Sequence, residues 1–219
     1  MMYRLQKFTN SHEIIIDEDD LPANWNPTFD DTIQSRISVF PGDVRNTSNP
    51  VHTDLLHVYK AIRYPKYKKQ TETLRAIKDP AKNRQYKAGN FSYATFSGLF
   101  RERSNANLIE HSGLICIDID KLPDLNKVRE DLSKDTHTVM VFTSPNGNGL
   151  KLIIKIEPDP DKQKLFYEAI RDYLIEKYKI PVDCIDKQCS DVSRACFLPY
   201  DPNIFLNPLL TENLIVTWE

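Results

Sequence analysis

Residues 113–122 read GLICIDIDKL, and the way this stretch folds decides the rest of the chain. Side chains alternate across an extended strand, so Ile115, Ile117 and Ile119 share one face while Leu114, Cys116, Asp118 and Asp120 share the other. Two carboxylates one residue apart repel each other, and each loses hydration beside an apolar run. The pair therefore asks for a positive partner nearby.

The pattern continues outward from this strand. Asp124 is placed to cap a helix carrying Leu125, Val128 and Leu132 and ending near Lys134. HTVMVFT (137–143) reads as a second strand, SPNGNG (144–149) as a turn of residues that tolerate positive φ, and LKLIIKI (150–156) as a third strand. Asp159 followed by Pro160 opens a helix to about Lys179, with Phe166, Ile170, Tyr173 and Leu174 on one face. SRACFLPY (193–200) closes the series as a short strand. The order β-α-β-β-α-β predicts an α+β fold with an RRM/ferredoxin-like βαββαβ module, strand order 4-1-3-2 and both helices on one face. The strands at 114–120 and 150–156 become central neighbours. Asp118, Asp120 and Lys151 then meet on the face away from the helices.

The preceding residues read as a mixed α/β subdomain. Strands are expected at 12–17 and 35–40, and a helix from a Thr53 cap to Tyr64 with Leu55, Leu56, Tyr59 and Ile62 on its apolar side. A short helix is expected at 71–78 and a strand within the aromatic stretch 91–100. The expected division is an N-terminal α/β subdomain over 1–110 and a palm-like module over 111–219, together one domain.

Composition narrows the class. The chain has 219 residues and a net charge of −2, which is no global signature of nucleic-acid binding. Two local runs, RYPKYKK (63–69) and KDPAKNRQYK (78–87), are basic with interleaved tyrosines. They read as a solvated face, with phosphate contact the sharper alternative. The four cysteines form no C-x-x-C pair and have no histidine at finger spacing, so they read as reduced, packed thiols. No apolar run reaches the roughly 18 residues of a membrane span, and MMYRLQKFTN lacks a signal-peptide core, so a cytoplasmic protein is expected.

Three elements carry chemistry. Asp118 and Asp120 suit a hard divalent ion such as Mg²⁺ or Mn²⁺. SPNGNGLK (144–151) offers hairpin amides, Ser144 and Lys151 to an anion. Residues 182–202 offer a third carboxylate from Asp183, Asp186 or Asp191, followed by Arg194 as a phosphate partner. Taken singly, these are a strand end, a plain hairpin turn and a polar loop.

Taken in order, they resemble the archaeo-eukaryotic primase superfamily, the primase-polymerases. More narrowly, TFSGLFRER (95–103), HSGLICIDID and SPNGNGLKLIIKI are similar to the primase-like N-terminal domain found ahead of virulence-associated E type helicase domains in mobile elements. The resemblance implies a DNA-directed primase/polymerase-type nucleotidyltransferase. Asp118, Asp120 and Asp183 would be its catalytic metal ligands. Ser144, Asn146, Gly147, Gly149, Lys151 and Arg194 would hold the nucleoside triphosphate. Single-stranded DNA would be the template, a helicase domain in the same chain or operon the partner, and no membrane would be involved. Lys151 stands where that superfamily usually has histidine, and a lysine does not shuttle protons near neutrality without a large pKa shift. His111 is the nearest histidine in sequence and reads as structural. The alternative is a catalytically reduced module that binds nucleotide or nucleic acid for a replication protein.

Overall fold

The computed structural model describes residues 5–9, 12–16 and 35–207. The elements in the first part are β1 (Leu5–Thr9), β2 (His12–Ile16), β3 (Arg36–Phe40), β4 (Val51–Asp54), α1 (Leu55–Arg63), α2 (Lys68–Ala76) and α3 (Pro80–Asn90). Then come β5 (Tyr93–Thr95), β6 (Gly98–Phe100), β7 (Leu108–His111), β8 (Leu114–Asp120), α4 (Leu125–Ser133) and β9 (Thr138–Thr143). The chain continues through β10 (Gly149–Lys155), α5 (Gln163–Tyr178), β11 (Cys196–Phe197) and β12 (Phe205–Leu206). The last residue of the expected 12–17 strand lies outside the described residues. No described helix is long and apolar enough to cross a membrane.

Two antiparallel four-stranded sheets organise the chain, one in the order β12-β9-β10-β8 and the other β11-β5-β3-β4. The isoleucine stripe behaves as alternation requires. Ile115, Ile117 and Ile119 of β8 are fully buried with Leu150, Leu152 and Ile154 of β10 beneath Leu132 of α4 and Phe166, Ile170 and Leu174 of α5. Burying each such side chain contributes about 1.5–3 kcal/mol of transfer free energy, so this face fixes both helices on one side. The expected caps are present: Asp124 accepts from Lys127 N, and Asp159 accepts from the amides of Asp161 and Lys162 ahead of α5. α5 ends where Lys179 turns left-handed at φ +54°.

The strand order differs from the expected 4-1-3-2. β8 stands at a sheet edge, and the 193–200 stretch does not join it. Its extended part, β11, pairs with β5 in the second sheet, Cys196 opposite Ala94. The fourth place is taken by β12 beyond β9, Phe205 opposite Val141. The cause is a second core. Leu114, Cys116, Met140, Phe142 and Ile153 of the first sheet pack against Ile37, Ala94, Cys196, Leu198 and the α1 residues Leu55, Val58 and Ile62. Cys196 and Leu198 are therefore drawn to the second sheet, across the expected 110/111 division. The face opposite the helices, expected to be open, is roofed by this layer. The α+β class holds, and β8 pairs with β10 as expected.

Smaller differences have local causes. Asp54, not Thr53, caps α1, its carboxylate accepting from His57 N. The aromatic stretch at 91–100 holds two strands, β5 and β6. α3 occupies the second basic run: Asp79 accepts from Lys82 N and Pro80 sits in the first turn, although the helix buries no residue fully. All four cysteines are free and buried.

Candidate functional site

The register of β8, β10 and β9 lays two rows of residues on the roofed face. Asp118 stands opposite Lys151, which stands opposite Phe142. Asp120 stands opposite Gly149, and Ser144 continues this row by donating its amide to Gly149 O at 2.8 Å. Asp118, Asp120 and Lys151 thus share a face, as alternation requires.

The Lys151 ammonium is ion-paired with Asp118 Oδ2, with side chains only 12% and 14% exposed, so water screens the pair weakly. Burial alone pulls the Lys151 pKa down; the Asp118 charge reverses this and holds it above the usual range. Asp118 Oδ1 is buried and has no hydrogen-bond partner. Burial, followed by the charge of Asp118, pushes the Asp120 carboxyl up.

The segment after α5 supplies the rest. Asp186 N donates to Asp118 O at 3.0 Å, and Tyr167 Oη donates to Asp186 O at 2.7 Å. These two bonds turn Asp186 inward. Arg194 donates to its carboxylate at 2.5 Å, and the Cys189 thiol lies 3.7 Å from the same oxygen. Among the described residues, ligand atoms of Asp118, Asp186 and Cys189 lie within 4.8 Å of one another. Burial pushes the Cys189 thiol up to about 12, so it is protonated here. Asp183 is exposed in the 3₁₀ turn Val182–Cys184 and is not in this group. Asp191 instead shapes the turn ahead of Arg194, its carbonyl accepting from Arg194 N at 3.3 Å.

The 144–149 hairpin is buttressed from α2. Arg75 donates through Nε to Pro145 O at 3.1 Å and through a terminal nitrogen to Ser144 O at 3.3 Å. Gly147 takes φ +82°, and its amide closes the turn on Ser144 O at 2.9 Å rather than facing outward. Asn146 is exposed at the tip. Ser144 is buried, and its Oγ has no partner. Gly149 has no room for a Cβ, which would lie 2.6 Å from Asp120 Oδ1.

Two cations escaped the sequence reading as members of this site: Arg75, and Lys87 of α3. Burial, followed by the charge of Lys151, pulls the Lys87 pKa down, while Asp118 and Asp120 push it up. Its ammonium lies 5.6 Å from the Phe197 ring centroid. The signal for α3 was present, since Asp79-Pro80 repeats the Asp159-Pro160 start pattern. His111 is structural: Gly113 N donates to Nδ1 at 3.0 Å, so Nε2 carries the proton and donates to Gln163 Oε1 at 3.1 Å. A cavity of about 490 Å³ opens between the start of α5 and residues 190–192, and neither Asp118, Asp120 nor Asp186 lines it.

The fold and site define an α+β domain with an acidic and basic cluster enclosed between two antiparallel sheets. The chain belongs to the BT4734-like, N-terminal domain family, which matches residues 86–206. That match runs from α3 to β12 and includes every site residue named above except Arg75. No curated protein and no solved structure matches the chain.

Proposed function

We propose that the domain is a nucleotidyltransferase module of the primase-polymerase type. It takes a nucleoside triphosphate with Mg²⁺ or Mn²⁺ and copies a single-stranded DNA template, alongside a helicase domain in the same chain or operon. The observation that carries this reading is the buried, partnerless Oδ1 of Asp118, a residue whose carboxylate offers an oxygen within 4.8 Å of ligand atoms of Asp186 and Cys189. A buried carboxylate oxygen without a donor costs free energy, and a cation relieves that cost. The donor set fits a divalent ion: Asp118 and Asp186 would hold it, Asp120 completes the acidic row, and Asp186 takes the place expected for Asp183. Cys189 would contribute only after losing its proton. When bound, such an ion activates a hydroxyl and offsets charge on departing pyrophosphate.

The chain's own residues then have separable tasks. Arg194, Lys151 and Lys87 supply positive charge for phosphate oxygens. The Ser144 hydroxyl is a free donor beside the Asp120–Gly149 row. Arg75 holds the hairpin that carries it. The second sheet leaves Lys151 and Asp118 only 12% and 14% exposed, which strengthens the attractions around that pair.

A second reading has its own support. The Lys151 ammonium already neutralises one Asp118 oxygen, which suits a reduced module that binds nucleotide or nucleic acid without transfer. Primer synthesis from labelled nucleotides on a single-stranded template, run beside Mn²⁺ binding followed by paramagnetic resonance, separates the two. Synthesis together with Mn²⁺ binding supports the transferase. Nucleotide binding without synthesis supports the reduced module. Absence of both removes the site.

A further inference from the structure

Apart from Arg75 and Lys87, the surface of α1, α2 and α3 bears positive charge that neither the fold nor the site requires. Residues 60–87 carry ten Lys or Arg against Glu72 and Asp79, a net of +8 in a chain of net −2. Among the described residues, Lys68 alone of the ten forms an ion pair, with Glu72 at 3.9 Å. An ordinary solvated face intersperses both signs; a concentrated, unneutralised one repels itself unless an anion binds it.

Three features specify the anion. Tyr64 is 41% exposed among these cations. Tyr86 lines a cavity of about 400 Å³ with Ile77, Lys82 and Gln85, which is space for an unpaired base against a ring rather than for a duplex. α3 also leaves its side chains available, since it buries no residue fully and is held by its Asp79 cap and by Asn83 donating to Leu74 O at 3.0 Å. Cations interleaved with aromatic faces hold a single strand by its phosphates and its bases together.

We infer that residues 60–87 form the docking surface for a single-stranded nucleic acid, which runs along α2 and α3 towards Lys87. The direction of the strand rests on the transferase reading, because Lys87 is where this surface meets Asp118 and Asp120. The surface itself stands on its own charge and aromatic content.

The test uses the whole chain and a triple variant, Lys69→Glu, Lys78→Glu and Lys82→Glu. All three residues are exposed. Glutamate at 82 completes a capping box with Asp79, so the helix start is not weakened. The probe is a fluorescein-labelled oligothymidylate, followed by anisotropy across a salt series, with melting temperature as the control for folding. The expected result is binding at least tenfold weaker in the variant, with a salt slope smaller by about 2 for three lost phosphate contacts. Mn²⁺–nucleotide binding should stay within twofold, because none of the three touches Asp118. Unchanged oligonucleotide binding in the variant overturns the inference. So does a wild-type preference for duplex DNA or for anionic phospholipid vesicles. If the wild type binds no Mn²⁺–nucleotide but the variant still loses the oligonucleotide, the docking surface stands and the transferase reading falls.

Discussion

Lys151 and Asp118 face each other across the β8–β10 pair and meet in an ion pair beneath the second sheet. On an open face, truncating this aspartate would cost nothing, which is what alternation alone leads one to expect. Here it strands a buried ammonium. Breaking a largely buried pair costs about 3 kcal/mol. Asp118→Ala should therefore lower stability by about that amount in urea unfolding; an unchanged midpoint would show that the pair contributes nothing.

Lys151→Met gives the converse. It leaves the buried Asp118 carboxyl without the ammonium it pairs with, so the variant should be less stable without metal. If the ammonium competes with a cation, Mn²⁺ should bind at least tenfold tighter and raise the melting temperature of the variant more than that of the wild type. Equal shifts in the two proteins would place the metal elsewhere.

Gly149 is a steric requirement of the Asp120 row. A Cβ there would lie 2.5 Å from Ile119 O and 2.6 Å from Asp120 Oδ1. The first of these atoms is backbone of the neighbouring strand and cannot swing away. Gly149→Ala is expected to cost about 2–3 kcal/mol by overpacking and to displace the Asp120 carboxylate. Calorimetric unfolding measures the first effect, and weaker Mn²⁺–nucleotide binding by the folded fraction measures the second.

Acid should weaken the far end of the helical layer. Asp135 is buried and accepts from Tyr173 Oη at 2.6 Å, His137 N at 2.8 Å, Lys177 Nζ at 3.1 Å and the Tyr178 hydroxyl. Burial pushes its carboxyl up, but these donors prevail and hold it well below the usual 3.8. Its folded pKa thus lies beneath its unfolded one. Its contribution is complete above 3.8 and is lost as pH falls below that value. The stability gap between wild type and Asp135→Asn should be constant near neutrality and close on acidification below about pH 4. A gap that ignores pH would mean the carboxylate charge is not what the tyrosines recognise.

Legibility of the chain followed the range of each interaction. Alternation in β8 and the Asp159-Pro160 helix start are local, and both were readable. Asp79-Pro80 carries the same start signal, yet α3 buries no apolar stripe, so periodicity was silent there. The partner of β11 was unreadable because two residues decide it, and their matches, Ala94 and Tyr93, lie far back in the chain. The sequence left Asp183, Asp186 and Asp191 equivalent. The Tyr167 hydroxyl and the β8 carbonyl, both distant in sequence, help turn Asp186 inward. Arg75 and Lys87 joined the site for the same reason: each reaches it from a helix that lies well before β8 in the chain.

β8 has β10 on one side. On the other, among the described residues, it is met through the Ile119–Ile185 bridge and the Asp186 amide. An isoleucine-rich strand with, among the described residues, no full strand along its outer edge is a template for pairing with another copy of itself. The segment that brings Asp186 and Arg194 to the site is thus also a guard on that edge. Loosening it, for instance by removing the Tyr167 hydroxyl, uncovers a sticky border in the same event that takes Asp186 away from Asp118. Self-association and loss of the Asp118–Asp186 cluster would then arise as one failure, so whatever keeps this edge covered also keeps the cluster's geometry.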